Sequence, residues 1–181
     1  MTHGRNQSVT INVRLTLDES LTCAIGGYKR RHYAKDKGWH DGNEYRRTHE
    51  QKQANDILAY FGEVYLARAL GSRIWPAITG HGGPDVSHKG TDYEGKSTIG
   101  KSGHLLVPAD TPDHWVCVLI IGLPPHGLHI AGWMTAAEAK TFPIRRRHYR
   151  AATHWVPQSA LHDWRDLNAR TQDRDSQMLD L

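Results

Sequence analysis

The stretch that decides the reading runs Gly83-Pro84-Asp85-Val86-Ser87-His88-Lys89-Gly90-Thr91-Asp92-Tyr93-Glu94-Gly95-Lys96-Ser97. Asp85 to Ser87 and Tyr93 to Ile99 read as two strands joined through His88, Lys89 and Gly90. On a strand, residues two apart share a face, so Glu94 and Lys96 project together. A tight hairpin brings Asp85 alongside Glu94. Two carboxylates and one ammonium are therefore expected at one sheet edge. Carboxylates that close repel, and each favours protonation unless a cation lies between them. Mg²⁺ suits that place, because it takes one or two protein carboxylates and keeps its waters; Mn²⁺ is expected to substitute. Such an ion polarises a phosphoryl oxygen and lowers the pKa of a bound water. Lys96 is then placed to stabilise charge on the phosphorane or to orient the attacking water.

Working outward, Gln53 to Leu70 has a wide apolar stripe (Ala54, Ile57, Leu58, Phe61, Val64, Leu66, Leu70), with Gly71 at the C-cap. Glu63 interrupts that apolar surface, and Ala59 and Ala67, four residues to either side, leave it a groove toward the site. Ile74 to Ile78 reads as a short strand and Gly80 to Pro84 as turns. Trp115 to Leu123 is the strongest strand, apolar without a break from Trp115 to Ile121 as in a strand buried on both faces. Leu128 to Trp133 is another strand. Thr135 and Glu138 form a capping box for a short helix that Pro143 stops. Pro157 to Asn168 is expected to pack Leu161, Trp164 and Leu167 as a helix. Toward the N-terminus, Val9 to Leu17 alternates as a strand. Asp18 is an N-cap for a helix carrying Leu21, Ala24, Ile25 and Tyr28, which Gly26 and Gly27 weaken. Gly38 to Arg47 is a polar loop. The expected fold is one α/β (α+β) domain with a mixed central sheet flanked by helices.

Pro84-Asp85, Glu94-x-Lys96, the upstream Glu63 and the following Ser97-Thr98 resemble the motif of the PD-(D/E)xK nuclease superfamily. Ser102-Gly103-His104-Leu105-Leu106, the strand from Trp115 to Gly122, Ala131-Gly132-Trp133-Met134 and Trp155-Val156-Pro157 are similar to phage-encoded members. The resemblance implies a restriction-endonuclease-like core over residues 51–170. Residues 1–50 supply a strand, helix and basic loop of the same domain, and 171–181 a frayed tail. It implies Mg²⁺-dependent hydrolysis of DNA phosphodiester bonds in phage DNA repair, recombination or processing. Asp85, Glu94, Glu63 and the Gly95 carbonyl would hold the metal, with Lys96 on the nucleophile or the scissile phosphate. Two departures stand out. Only eight residues separate Asp85 from Glu94, and Gly95 stands where an apolar residue is usual. They keep open a nuclease fold that binds DNA or regulates without cutting; RNA as the cleaved strand is a third reading.

Composition narrows the class. The chain has 181 residues, enough for one well-cored domain. No apolar run approaches the roughly 18 residues of a membrane span, and no apolar leader follows Met1. Cys23 and Cys117 cannot form a four-cysteine zinc site or a disulfide framework, so a reducing, cytoplasmic setting is expected. Net charge is +4, and the basic residues cluster. Lys29, Arg30, Arg31, Lys89, Lys101, Arg145, Arg146 and Arg147 are the candidates for gripping a DNA backbone. His81, His88, His104, His126 and His129 follow no zinc spacing and are assigned surface or hydrogen-bonding roles; His81, His88 and His104 bracket the proposed site, and His104 lies eight residues after Lys96. Trp115, Trp133 and Trp164 are expected in the core, and Trp39 and Trp75 in loops. An edge strand over Val9 to Leu17 would offer a homodimer contact.

Overall fold

Thr16 sets where the first helix begins. Its hydroxyl accepts from the Glu19 N–H while the Glu19 carboxylate accepts from the Thr16 N–H, a reciprocal cap. Helix α1 then runs Leu17–Asp36. The computed structural model describes residues 13–37, 48–73, 75–78, 83–145 and 152–167. It corrects the expected N-terminal strand. Residues 13–16 form no strand, Leu17 is already helical, and 9–12 lie outside the described residues. Of the alternating apolar residues that are described, Val13 and Leu15 pack on the core without strand pairing. Asp18 sits in the first turn rather than at the cap.

Helix α2, His49–Ala69, starts with the same device from Thr48 and Gln51 and ends before Gly71, whose φ is +78°. The two helices meet on glycine. A Cβ on Gly27 would stand 2.4 Å from the Ile57 Cα, and one on Gly26 would stand 2.4 Å from the Tyr60 ring. Residues that weaken an isolated helix thus form its contact surface. Leu21, Ile25 and Tyr28, expected inward by spacing, are exposed instead, together with Leu17.

The strands are β1 (Val86–His88), β2 (Thr91–Thr98), β3 (Leu105–Pro108), β4 (Val116–Ile121), β5 (His129–Thr135), β6 (Ile144–Arg145) and β7 (Thr153–Val156). They form a mixed four-stranded sheet ordered β1-β2-β4-β5, in which only β2 and β4 are parallel, and a small antiparallel sheet ordered β3-β7-β6. β4 is buried on both faces, as its unbroken apolar run predicts. Val116, Val118 and Ile120 join Tyr60, Val64 and the helices, while Cys117, Leu119 and Ile121 join Leu105, Val107 and Val156 of the second sheet. The central sheet therefore lies between a helical layer and a small sheet, and α1 shares one core with α2.

Helix α3 (Ala136–Ala139) carries the expected capping box. Two other expectations fail. Residues 75–78 are not a strand, Ile74 lying outside the described residues, and the stretch expected as one helix from Pro157 holds a 3₁₀ turn (Gln158–Ala160) followed, after a break, by helix at 164–167, with Asn168 outside the described residues. Trp164 and Leu167 are nevertheless buried, and Trp115 only half-buried. Among the described residues no helix is long and apolar enough to cross a membrane.

Gly27→Ala is predicted to force α1 off α2 and lower stability by about 1–3 kcal/mol, the usual range for overpacking. Urea unfolding followed by circular dichroism measures it. A change within about 0.5 kcal/mol would show that the helices separate freely.

Candidate active site

The register of the β1–β2 hairpin places the chemistry. Val86 pairs with Tyr93, Ser87 with Asp92 and His88 with Thr91, so one step further sets Asp85 beside Glu94. Lys89 and Gly90 close the turn with φ of 48° and 72°, the left-handed conformation that two-residue hairpin turns use. An interval of eight residues is thus enough. Among the described residues no strand pairs with β2 beyond Tyr93 on the side away from β4, so its second half is an open edge.

Asp85 Oδ2 accepts from the Gly95 N–H at 2.8 Å across that edge. In a strand a residue's N–H and C=O point to the same side, so the Gly95 carbonyl also faces the opening. Glu94 and Lys96 share a face and are in contact, Nζ donating to Oε1. On the opposite face a Cβ at Gly95 would lie 3.4 Å from both Leu66 and Ile120. Those two side chains occupy the space that an apolar middle residue would take.

Glu63 enters from α2 and is only 4% exposed. Of its flanking alanines, Ala59 lines the cavity with it, while Ala67 belongs to the core. Its carboxylate is held by Arg30, whose Nη1 and Nη2 donate at 2.5 and 2.6 Å. Nη2 also donates to the Ala77 carbonyl at 2.9 Å, and the guanidinium lies 4.9 Å over the Tyr60 ring. Tyr60 is fixed in turn by donating its hydroxyl to the Pro76 carbonyl. Arg30, expected on a DNA backbone, is therefore a member of the site, and its role there is what the sequence reading missed. The available signal was its place one turn beyond Gly26 and Gly27, on the face that touches α2.

Glu63, Asp85, Glu94 and Lys96 line one cavity of about 640 Å³. Burial raises the Asp85 carboxyl well above its usual range, and the charges of Glu63 and Glu94 raise it further. Burial also raises Glu63, against the pull of Arg30. For Lys96, burial lowers the pKa, but the charges of Glu94 and Asp85 outweigh it and keep the ammonium protonated.

Among the described residues no three His, Cys, Asp or Glu side chains stand together as a ready cation cage. Two of the three candidate carboxylates are turned onto Arg30 and Lys96. By chemistry alone the donor set, three carboxylates and a carbonyl lining one cavity, still suits a hard divalent cation.

The remaining expected residues are scattered. Arg31 is paired with Asp56 at 2.5 Å, so neither it nor Arg30 is an outward-facing phosphate grip. Lys29, Lys89 and Lys101 are exposed, and Arg145 lies over the Trp155 ring. Arg146, Arg147, His81 and Trp39 lie outside the described residues. His104 is exposed and lines the cavity. Cys23 and Cys117 are buried, and that burial pushes both thiols up to about 12, which leaves them unreactive. No protein-family model, curated protein or solved structure compared with the chain matches it significantly.

The raised Asp85 carboxyl makes a stability prediction. A folded-state pKa above the unfolded value, about 3.9, means that the folded protein binds the extra proton, so stability falls as pH rises from that value through the folded pKa. Asp85→Asn in EDTA should flatten that fall and raise the melting temperature at neutral pH. Parallel melting curves of the two proteins from pH 4 to about 8 would contradict it.

Proposed function

We propose that the chain is a divalent-metal-dependent nuclease that hydrolyses DNA phosphodiester bonds at this open sheet edge, its central sheet and α2 serving as a restriction-endonuclease-like core. The observation that supports it is the convergence of Asp85, Glu94 and Lys96 from one hairpin with Glu63 from the preceding helix, all lining one cavity. Asp85, Glu94, Glu63 and the Gly95 carbonyl are the groups to hold Mg²⁺, with Mn²⁺ as a substitute. When bound, such an ion polarises a phosphoryl oxygen and lowers the pKa of a coordinated water.

The chain's own residues do the rest. Lys96, kept protonated by Glu94 and Asp85, acts as a hydrogen-bond donor and positive charge rather than as a base. Its ammonium stabilises negative charge developing on the phosphate, where a fixed donor is worth most. Arg30 balances Glu63 and holds its carboxylate at the cavity wall. Exposed Lys29, Lys89, Lys101 and Arg145 supply cationic contacts to phosphates, which carry affinity without sequence information. A second reading, a DNA-binding or regulatory protein on the same fold that does not cut, is favoured by one observation: Glu63 and Glu94 are both already engaged by cations of the chain.

Nicking of supercoiled plasmid in Mg²⁺ or Mn²⁺, with RNA in parallel, separates these readings. Lys96→Ala is expected to bind DNA almost as tightly as wild type by fluorescence anisotropy. Its single-turnover rate should fall by about 10²–10³, the typical loss of one transition-state stabiliser. Glu94→Ala should be at least as damaging. A passive Glu94–Lys96 pair predicts unchanged cleavage and a stability change of at most about 1 kcal/mol.

A further inference from the structure

The cavity extends past the carboxylates to a wall of different chemistry. That wall belongs to the second sheet: Leu106 on β3, Trp155 on β7, and His104 just before β3. Leu106 and Trp155 are register partners, so they stand side by side on one face. The exposed His104 ring lies 5.7 Å from the Trp155 ring, tilted at 50° to it. Arg145 brings its guanidinium to 4.9 Å over the Trp155 ring, adding positive charge at the rim.

Phosphates need cations and N–H donors, not an aromatic and aliphatic wall. The π-faces of bases do use such a wall, and stacking tolerates any base. At about 640 Å³ the cavity falls within the usual size of a small-ligand pocket, with room for a nucleotide beside the carboxylates. A base inside a duplex keeps both faces stacked on its neighbours, so only an unpaired or flipped base reaches a ring inside a cavity.

We infer that the His104–Trp155–Leu106 wall seats one unpaired nucleobase, with Arg145 on an adjacent phosphate, so that single-stranded or locally unpaired DNA is the strand presented to Glu94 and Lys96. The inference rests on the nuclease reading for the class of its ligand and adds the strandedness of the substrate. It also gives His104, Leu106 and Trp155 a role in binding that their place in the second sheet does not require.

Anisotropy titrations in EDTA test it without cleavage. The probes are a fluorescent DNA oligonucleotide of about a dozen nucleotides, the same sequence as a duplex, and a series with one abasic position each. The single strand is expected to bind more tightly than the duplex. Abasic substitution at one position should weaken binding about 5- to 150-fold, the span for one stacked base. Trp155→Ala should weaken the intact strand by a similar factor and leave that abasic strand unaffected, while Trp155→Phe keeps most of the affinity. His104→Ala, at an exposed position, carries the same comparison if Trp155→Ala fails to fold. Equal losses on every strand, abasic ones included, or a duplex bound as tightly as the single strand, would overturn the inference. Wild type that nicks plasmid but shows no such coupling removes the base seat alone. Wild type that shows the coupling but cuts nothing in Mg²⁺ or Mn²⁺ removes the nuclease reading alone.

Discussion

Three carboxylates share one cavity, and neighbouring negative charges out of bulk water must be offset by something. Here Arg30 offsets Glu63 and Lys96 offsets Glu94, while Asp85 is left with a backbone N–H and a raised affinity for a proton. Breaking a buried ion pair such as Arg30–Glu63 by deleting one partner costs about 3–5 kcal/mol, because the other charge stays behind. Much of the architecture follows from keeping these offsets in place. Arg30 reaches Glu63 only because Gly26 and Gly27 let α1 lie close on α2. Asp85 reaches Gly95 only because Lys89 and Gly90 turn the chain in two residues.

The open half of β2 is the second constraint. An unpaired strand edge invites pairing with another chain, and folded proteins commonly blunt it with charge. Here Glu94 and Lys96 sit on that half-strand, with Asp85 and Glu63 beside it, so the edge that could be a liability becomes the approach to the site. The helical layer supplies one wall and the small second sheet the other. A bound strand would pass between charged groups on one side and rings on the other.

Much of this was legible in the residues. The hairpin, the shared face of Glu94 and Lys96, the long helix with its interrupting glutamate and the fully buried β4 all follow from local periodicity and turn chemistry. What stayed hidden depends on contacts distant in sequence. The Val9 to Leu17 alternation reads as a strand, but in its described part Val13 and Leu15 pack without strand pairing and Leu17 is already helical. The apolar spacing of α1 pointed to Leu21, Ile25 and Tyr28, yet its contact face is Cys23, Gly26 and Gly27, where packing works by absence of side chain. Arg30 reads as one more surface cation because local pattern marks at most the helix face it stands on, not the partner 33 residues away. The second sheet is built from strands of two to four residues, too short for periodicity to mark.

Crystals soaked in Mn²⁺, with diffraction recorded at the manganese absorption edge, show whether the cavity's carboxylates share a cation. An anomalous peak bonded by the Asp85 and Glu94 carboxylates is expected, with Glu63 or the Gly95 carbonyl completing the protein's share. Saturating Mn²⁺ with no peak in the cavity, Glu63 still on Arg30 and Glu94 still on Lys96, would contradict it.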